Sequence, residues 1–434
     1  ALPALYAESL LPHATGAMVA TLAFLAVHRR RSAASVAALP PTAAGLGLGA
    51  AIAWGFALGL PASLDPSHFG AWMPAVAGAG LAVWAFAYAA ERRSGRRLAF
   101  VTPALAGLAL GAVLVHNAGP LYRALAGEHL RTWNVYHYHV GSKYFPELGY
   151  RDLYAATLAA DDAWIAAGGD PAAGFAHVDR TRDMLTYDIV PRERAVAGFD
   201  RAVIDDERFA ELGRDTRALR PRLSAKLWKK VLRDWGYNPA PPWTVLGVPA
   251  ANAIGPREPA FWLIANSDVP LFALMFAALW WAFGLRAAVV ATLWVNVIHF
   301  NRGRFPGGFL QYDWLASTVA ALCLYRRGRG ALAGAALSWG AATRVFPGFL
   351  AVPVAVALVA DRIRGRPLER RRVRFLATLA AAAALLVGAA CLTGRGAAVW
   401  PEWIDNIGRH AQVLPLDSMH RSEEHTSELQ SLLI

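Results

Sequence analysis

NSDVPLFALMFAALWWAFG, residues 266–284, reads as a helix that crosses a membrane. Beyond Asp268 it carries no charge, and its length matches the roughly 20 apolar residues that a helix needs to cross a bilayer. Similar spans are expected near 10–28, 43–63, 71–90 and 98–116 on one side of it. On the other they are expected near 287–300, 309–325, 330–343, 346–361 and 375–392. Residues 117–265 between the two groups are compatible with water. The expected fold is therefore an all-α integral membrane protein of about ten transmembrane helices with an extracytoplasmic, mainly helical domain. The expected divisions are 1–116 for the N-terminal transmembrane helices, 117–265 for the extracytoplasmic domain and 266–420 for the C-terminal transmembrane bundle. A hydrophobic content of 56% agrees, since soluble domains rarely exceed about half.

A net charge of +12 invites a nucleic-acid reading, so the location of the charge matters. Eighteen arginines fall in five short connections: Arg29 to Arg31, Arg92 to Arg97, Arg286, Arg326 to Arg329 and Arg362 to Arg374. These alternate with arginine-poor connections such as 64–70, the distribution of the positive-inside rule. The basic balance thus reports topology, and no nucleic-acid partner is expected. The same rule places 117–265, 301–308, 343–346 and everything after 393 outside the cytoplasm, so these stretches share one face. A bacterial cytoplasmic membrane, with the functional face toward the periplasm or exterior, is the expected location.

Both ends read as incomplete. The chain opens on Ala1 in a span that already runs outside to inside, so an upstream segment is expected. Residues 421–431, RSEEHTSELQS, coincide with the translation of a common sequencing adapter. Residues 421–434 are therefore expected to be an assembly artefact, with the natural chain continuing past His420. Cys323 and Cys391 lie in predicted spans and read as small buried hydrophobes. No phosphate-binding glycine loop, dinucleotide fingerprint or zinc spacing occurs, and no cofactor is expected. No internal repeat stands out.

The extracytoplasmic domain opens with GEHLRTWNVYHYHVGSKYFPELGYRDLY, residues 127–154. Its aromatics suit an interfacial belt. They equally suit a surface for a sugar or lipid headgroup, on which Trp133, Tyr136 and Tyr138 stack while Asn134, His137 and His139 fix hydroxyls. His137 and His139 lack the further ligands of a metal site, so no metal is expected. Helices are expected over 151–167 and 206–235, and 223–243 reads as an amphipathic helix suited to a membrane surface, breaking at prolines. The short spans 287–300 and 331–342 are expected to tilt, break or sit inside a bundle. At their outer ends lie HFNRGRFPGGFLQYDW, 299–314, and ATRVFPGF, 342–349. Ionisable groups at such a depth are functional candidates: Arg302, Arg304 and Arg344 for a phosphate, and Asp313 to orient one of them.

These motifs resemble a family. The aromatic outer segment ending in the element of Gly149 to Tyr154 is similar to the first outer loop of GT-C glycosyltransferases, in particular the polyprenyl-phosphate-sugar-using family 87 with its bacterial mannosyltransferases. Gln311 to Leu315, the basic turn Arg326 to Arg329, and Arg344-Val345-Phe346-Pro347 resemble that family's later core. The likeness covers roughly 98–155 and 265–415. It implies a single-displacement transfer of a sugar, mannose being one candidate, from a polyprenyl-phosphate donor to a glycan or lipid acceptor, with membrane lipids as surroundings. It also implies a carboxylate base in the first outer loop. One departure is informative: where family members carry an Asp before the aromatics, this chain has Thr132, Trp133 and Asn134. Glu128 is the nearest acid and is nominated as catalytic base, with Asp152, Asp161 and Asp162 further on. The alternatives are a transporter or flippase of a lipid-linked or anionic substrate, and a non-catalytic membrane assembly protein.

Overall fold

The computed structural model describes Gly80, 83–99, 101–107, Ala109, 130–257, 260–297 and 307–413. The first two predicted spans, most of 71–90, the second part of 98–116, and the site candidates Glu128, Arg302 and Arg304 lie outside the described residues.

Described residues are mostly helical. A helical domain opens on an aromatic helix, in which Thr132–Asn134 and Gly141–Lys143 flank a π-helical stretch, Val135–Val140. Then come α1 (Leu153–Ala166), the antiparallel pair β1 (Arg180–Arg182) and β2 (Ile189–Pro191), α2 (Asp206–Leu219), α3 (Ala225–Val231) and α4 (Pro241–Ala253). The ends follow ordinary capping chemistry. Asp205 accepts the Arg208 N–H at the start of α2, 2.8 Å, and prolines open α4, where a missing N–H costs nothing.

The core of this domain is aromatic. Tyr136, Tyr144, Tyr150, Tyr154, Trp228 and Tyr237 are all fully buried, and Tyr136 stacks on Tyr154 at 6.2 Å while meeting the edge of Trp228 at 5.5 Å. This revises the expectation of a membrane-surface helix over 223–243. The helix there is only α3, α4 begins at Pro241, and Trp228, Val231 and Leu232 are buried in the aromatic core of the domain.

After the domain come α5 (Val269–Phe283), α6 (Leu285–Val297), α7 (Asp313–Arg326), α8 (Gly330–Thr343), α9 (Val352–Ile363), α10 (Arg370–Ala390) and α11 (Val399–Val413). Among the described residues, three helical stretches are long and apolar enough to cross a membrane by length and composition: Phe261–Phe283, Phe346–Ile363 and Arg370–Ala390. Helices α7 and α8, at 14 residues each, span about 21 Å, short of a hydrocarbon core of roughly 30 Å. They sit inside the bundle, α8 between α7 and α10. Glycines permit that closeness. At Gly334 a Cβ would overlap the Phe375 carbonyl oxygen, and at Gly340 it would lie 2.6 Å from Thr318 Oγ1. On the outside, α9 and α10 leave Val356, Ile363 and Leu385 61–79% exposed, a surface suited to lipid.

Candidate functional site

The aromatic helix is the first place to look, because π-helical turns cluster at functional sites. His137 bridges two elements: its Nδ1 meets the Trp133 carbonyl at 2.9 Å and its Nε2 meets the Tyr154 hydroxyl at 2.7 Å. A carbonyl can only accept, so Nδ1 carries the proton and Nε2 accepts from Tyr154. The Tyr154 oxygen in turn accepts the Gly236 N–H at 2.9 Å. Tyr136 shares a hydrogen bond with Thr157 Oγ1 at 2.9 Å, Tyr138 meets the edge of Trp243, and Trp133 Nε1 donates to Asp234 Oδ2 at 2.6 Å. His139 is fully buried, its ring 4.7 Å from that of Phe309. Burial drives its pKa down to about 3, with the Lys143 charge adding to the fall and the Ile254 backbone opposing it.

The expectation of an open stacking surface is therefore corrected. Tyr136, His137, Tyr138 and His139 line the interior, where the polar tips of Tyr136 and His137 find partners and the rings contribute by burial. Trp133 keeps a partly exposed edge.

Asn134 leads to a second centre. Its Oδ1 accepts the Phe309 N–H at 3.0 Å, tying the aromatic helix to the loop 307–312. The Gly307 N–H donates to the Ala265 carbonyl and the Gly307 carbonyl accepts the Arg131 N–H, at 2.8 and 2.9 Å. The Leu310 N–H donates to Ser267 Oγ at 2.9 Å, and the Tyr312 N–H to Asp268 Oδ1 at 3.0 Å. Arg131 also donates to the Gln311 side chain. The loop needs this support, because Leu310 adopts φ +48, a left-handed conformation costing on the order of 1–3 kcal/mol that persists only where surroundings enforce it. Strain of this kind is a marker of function.

This loop delivers Asp313 to the start of α7. Asp313 is 7% exposed, and its Oδ2 accepts Trp339 Nε1 at 2.7 Å. Arg344 follows the last residue of α8 one turn beyond Trp339, its N–H donating to the Gly340 carbonyl at 2.9 Å. Trp314 meets Phe346 edge to face at 4.9 Å. Asp313 and Arg344 thus share the end of the α7–α8 pair that faces the helical domain, with Asp268 close by.

Of the other acids, Asp161 and Asp162 both pair with Arg192, at 2.8 and 2.6 Å, which is structural work. The Asp152 carboxyl is pushed up by burial, against the opposing charges of Arg395 and Arg151, and is the acid of the three suited to hold a proton. Among the described residues no group of three potential metal ligands occurs.

Ser267, Asp268 and Arg131 are not among the site residues expected from the sequence, where Asp268 stands out only as an acid near a span end. A signal existed for two of them: Ser267-Asp268-Val269-Pro270 is a cap followed by a proline at the head of an apolar helix. The loop's dependence on Asn134 is directly testable. Asn134→Leu leaves the buried Phe309 N–H without its acceptor, and the midpoint of thermal unfolding should fall by the equivalent of about 1–3 kcal/mol.

Compared with protein-family models, with curated proteins and with solved structures, the chain matches none.

Proposed function

We propose that the protein is an integral membrane glycosyltransferase of GT-C type, moving a sugar from a polyprenyl-phosphate donor to an extracytoplasmic glycan or lipid acceptor. The observation that carries this reading is the placement of Asp313 at the start of α7 and of Arg344 just past the end of α8, beside apolar helices suited to a polyprenyl chain. A lipid phosphate at headgroup depth would lie at that level, with Arg344 as its partner and Arg302 and Arg304 as further cations. The reaction is a displacement at the anomeric carbon. A carboxylate takes the acceptor hydroxyl proton, the acceptor oxygen bonds to carbon, and the carbon–oxygen bond to phosphate breaks with its electron pair going to the phosphate. Guanidinium groups stabilise the charge that develops there. Glu128 remains the nominated base, and Asp152 is the described acid whose environment suits proton exchange.

The site would face the periplasm or exterior of a bacterial cytoplasmic membrane. The buried aromatics act in this scheme as the frame that holds loop 307–312, with the exposed edge of Trp133 left for contact with sugar. A transporter would instead call for an ionisable group within the spans. Asp268 lies within Phe261–Phe283, but its carboxylate accepts the Tyr312 N–H and so holds loop 307–312 in place, a fixed role that favours the transferase. The test is binding of the donor itself: polyprenyl-phosphate-mannose should stabilise the detergent-purified protein saturably, and Arg344→Ala should abolish the effect.

A further inference from the structure

Helix α11 has two unlike faces. It turns Val399, Asn406, Ile407 and His410 inward, all of them buried. The Tyr187 hydroxyl donates to Asn406 Oδ1 at 2.8 Å, and the His410 ring lies 4.6 Å from that of Trp235, so this face is docked on the helical domain. Glu402 and Asp405 strengthen the docking by pairing with Arg395 and Arg151, at 2.6 and 2.7 Å. On another side of α11, helical spacing lines up Trp400, Ile404 and Gly408, a row without charge. Ile404 is 62% exposed, and Leu392, in the turn that leads to α11, is 86% exposed.

Helix α10 fixes the level of this apolar edge. Trp400 Nε1 donates to the Val387 carbonyl at 3.3 Å, which seats the start of α11 against the end of α10. From Phe375 to Ala390 α10 carries no charge, and this part rises about 24 Å, short of a hydrocarbon core of roughly 30 Å. The missing height falls on the residues just past Ala390, where Leu392 lies. Tryptophans mark the two levels again on the stretch Phe261–Phe283. Trp262 and Trp281 are both exposed, and helical rise sets them about 28 Å apart. The Arg327 guanidinium lies 5.0 Å over the Trp281 ring, at the arginine-rich end. Trp262 follows Phe261, whose ring carries Arg222 of the helical domain at 4.0 Å. Such spacing is that of tryptophan belts at the two surfaces of a bilayer.

We propose that α11 is an interfacial helix: Trp400 and Ile404, with Leu392, are seated in the headgroup region of the leaflet nearest the helical domain, while the buried face holds that domain. The occupant of the edge is lipid because the edge adjoins the end of a span whose own charge-free part is too short for the hydrocarbon core. Amphipathic helices with tryptophan and aliphatic residues on one side lie in this plane, about 5–10 Å into the boundary between headgroups and acyl chains. Docked on the domain by one face and on the bilayer by the other, α11 sets the height of the domain over the membrane. The inference rests on the membrane placement of the proposed function and not on sugar transfer.

Spin labels test this on the full chain reconstituted in palmitoyl-oleoyl-phosphatidylcholine vesicles, with Cys323→Ala and Cys391→Ala as background. Single labels are placed at Ile404→Cys, at Leu385→Cys on the exposed face of α10, and at Ala172→Cys, exposed in the loop beyond α1. Oxygen collides with a label in lipid, and a water-soluble nickel chelate collides with one in solvent. The ratio of oxygen to nickel accessibility at Ile404 should exceed that at Ala172 several-fold and approach that at Leu385. Should Ile404→Cys fail to fold, Leu392→Cys read in the same way decides. An Ile404 label as open to the nickel chelate as the Ala172 label places the edge in water and overturns the proposal. A label shielded from both reagents places a protein partner or a second copy of the chain there, and overturns it too. With either result, a lipid-exposed Leu385 label leaves the membrane placement standing, whereas a Leu385 label open to the nickel chelate overturns both.

Discussion

Lys143→Met is expected to unfold the helical domain under conditions where the unaltered protein remains folded. Lys143 ends the aromatic helix at 3% exposure, and its Nζ donates to Glu211 at 2.7 Å and to Asp215 at 2.6 Å. Asp215 also accepts the Tyr144 hydroxyl at 2.8 Å. Arg208 bonds to Glu211 and Glu147 and lies 4.5 Å over the Tyr144 ring. Methionine preserves length and removes the charge, leaving a buried carboxylate without its cation. Breaking such a pair costs about 3–5 kcal/mol, against total domain stabilities of about 5–15 kcal/mol. Denaturant titration followed by circular dichroism measures the difference, and an unchanged midpoint would remove the network from any account of this domain's stability.

The pH dependence of that difference has a definite sign. Burial alone would raise the Glu211 pKa, but the hydrogen bonds and charges of Lys143 and Arg208 more than reverse it and hold the carboxyl below its ordinary value of 4.5. A depressed folded-state pKa contributes stability that is fully present above the unfolded value and lost as pH falls through the folded one. The gap between the unaltered protein and Lys143→Met should thus be full at neutral pH and narrow as the pH falls below about 4.5.

Gly334→Val should prevent assembly of the α7–α10 bundle. The new Cβ would collide with the Phe375 carbonyl oxygen and stand 2.9 Å from the Leu379 nitrogen, both backbone atoms of α10 that cannot rotate away. Overpacking ordinarily costs about 1–3 kcal/mol, and displacement of a whole helix puts this case at or above the top of that range. Gly388→Val is the control, since nothing lies within 4 Å of a Cβ there. It should be neutral or mildly favourable through helix propensity. Size-exclusion chromatography in detergent separates the outcomes. Equal behaviour of the two variants would mean that α8 and α10 are not in backbone contact.

Apolar spacing made the later helices legible. A predicted span over 330–343 coincides with α8, and one over 266–284 contains α5, because the stiff requirement for an apolar surface repeats at every turn. Burial was not legible in 127–154. Tyrosine, tryptophan and histidine each have an apolar body and a polar tip, so the same composition serves a headgroup surface or a core. The choice depends on Trp228 and Tyr237, which come from distant parts of the chain. Asn134 carries the same lesson. Its position suggested a missing catalytic acid, whereas its partner is a backbone N–H 175 residues away, a pairing that only the folded chain creates.

Donor recognition is the central claim, and thermal stabilisation of the full-length protein by polyprenyl-phosphate-mannose tests it without knowledge of the acceptor. Saturable stabilisation by the sugar-lipid, exceeding that by polyprenyl phosphate alone and lost in Arg344→Ala, is the result expected. No shift across a panel of lipid-linked sugars, or an equal shift in Arg344→Ala, would contradict the placement of the donor phosphate at Arg344.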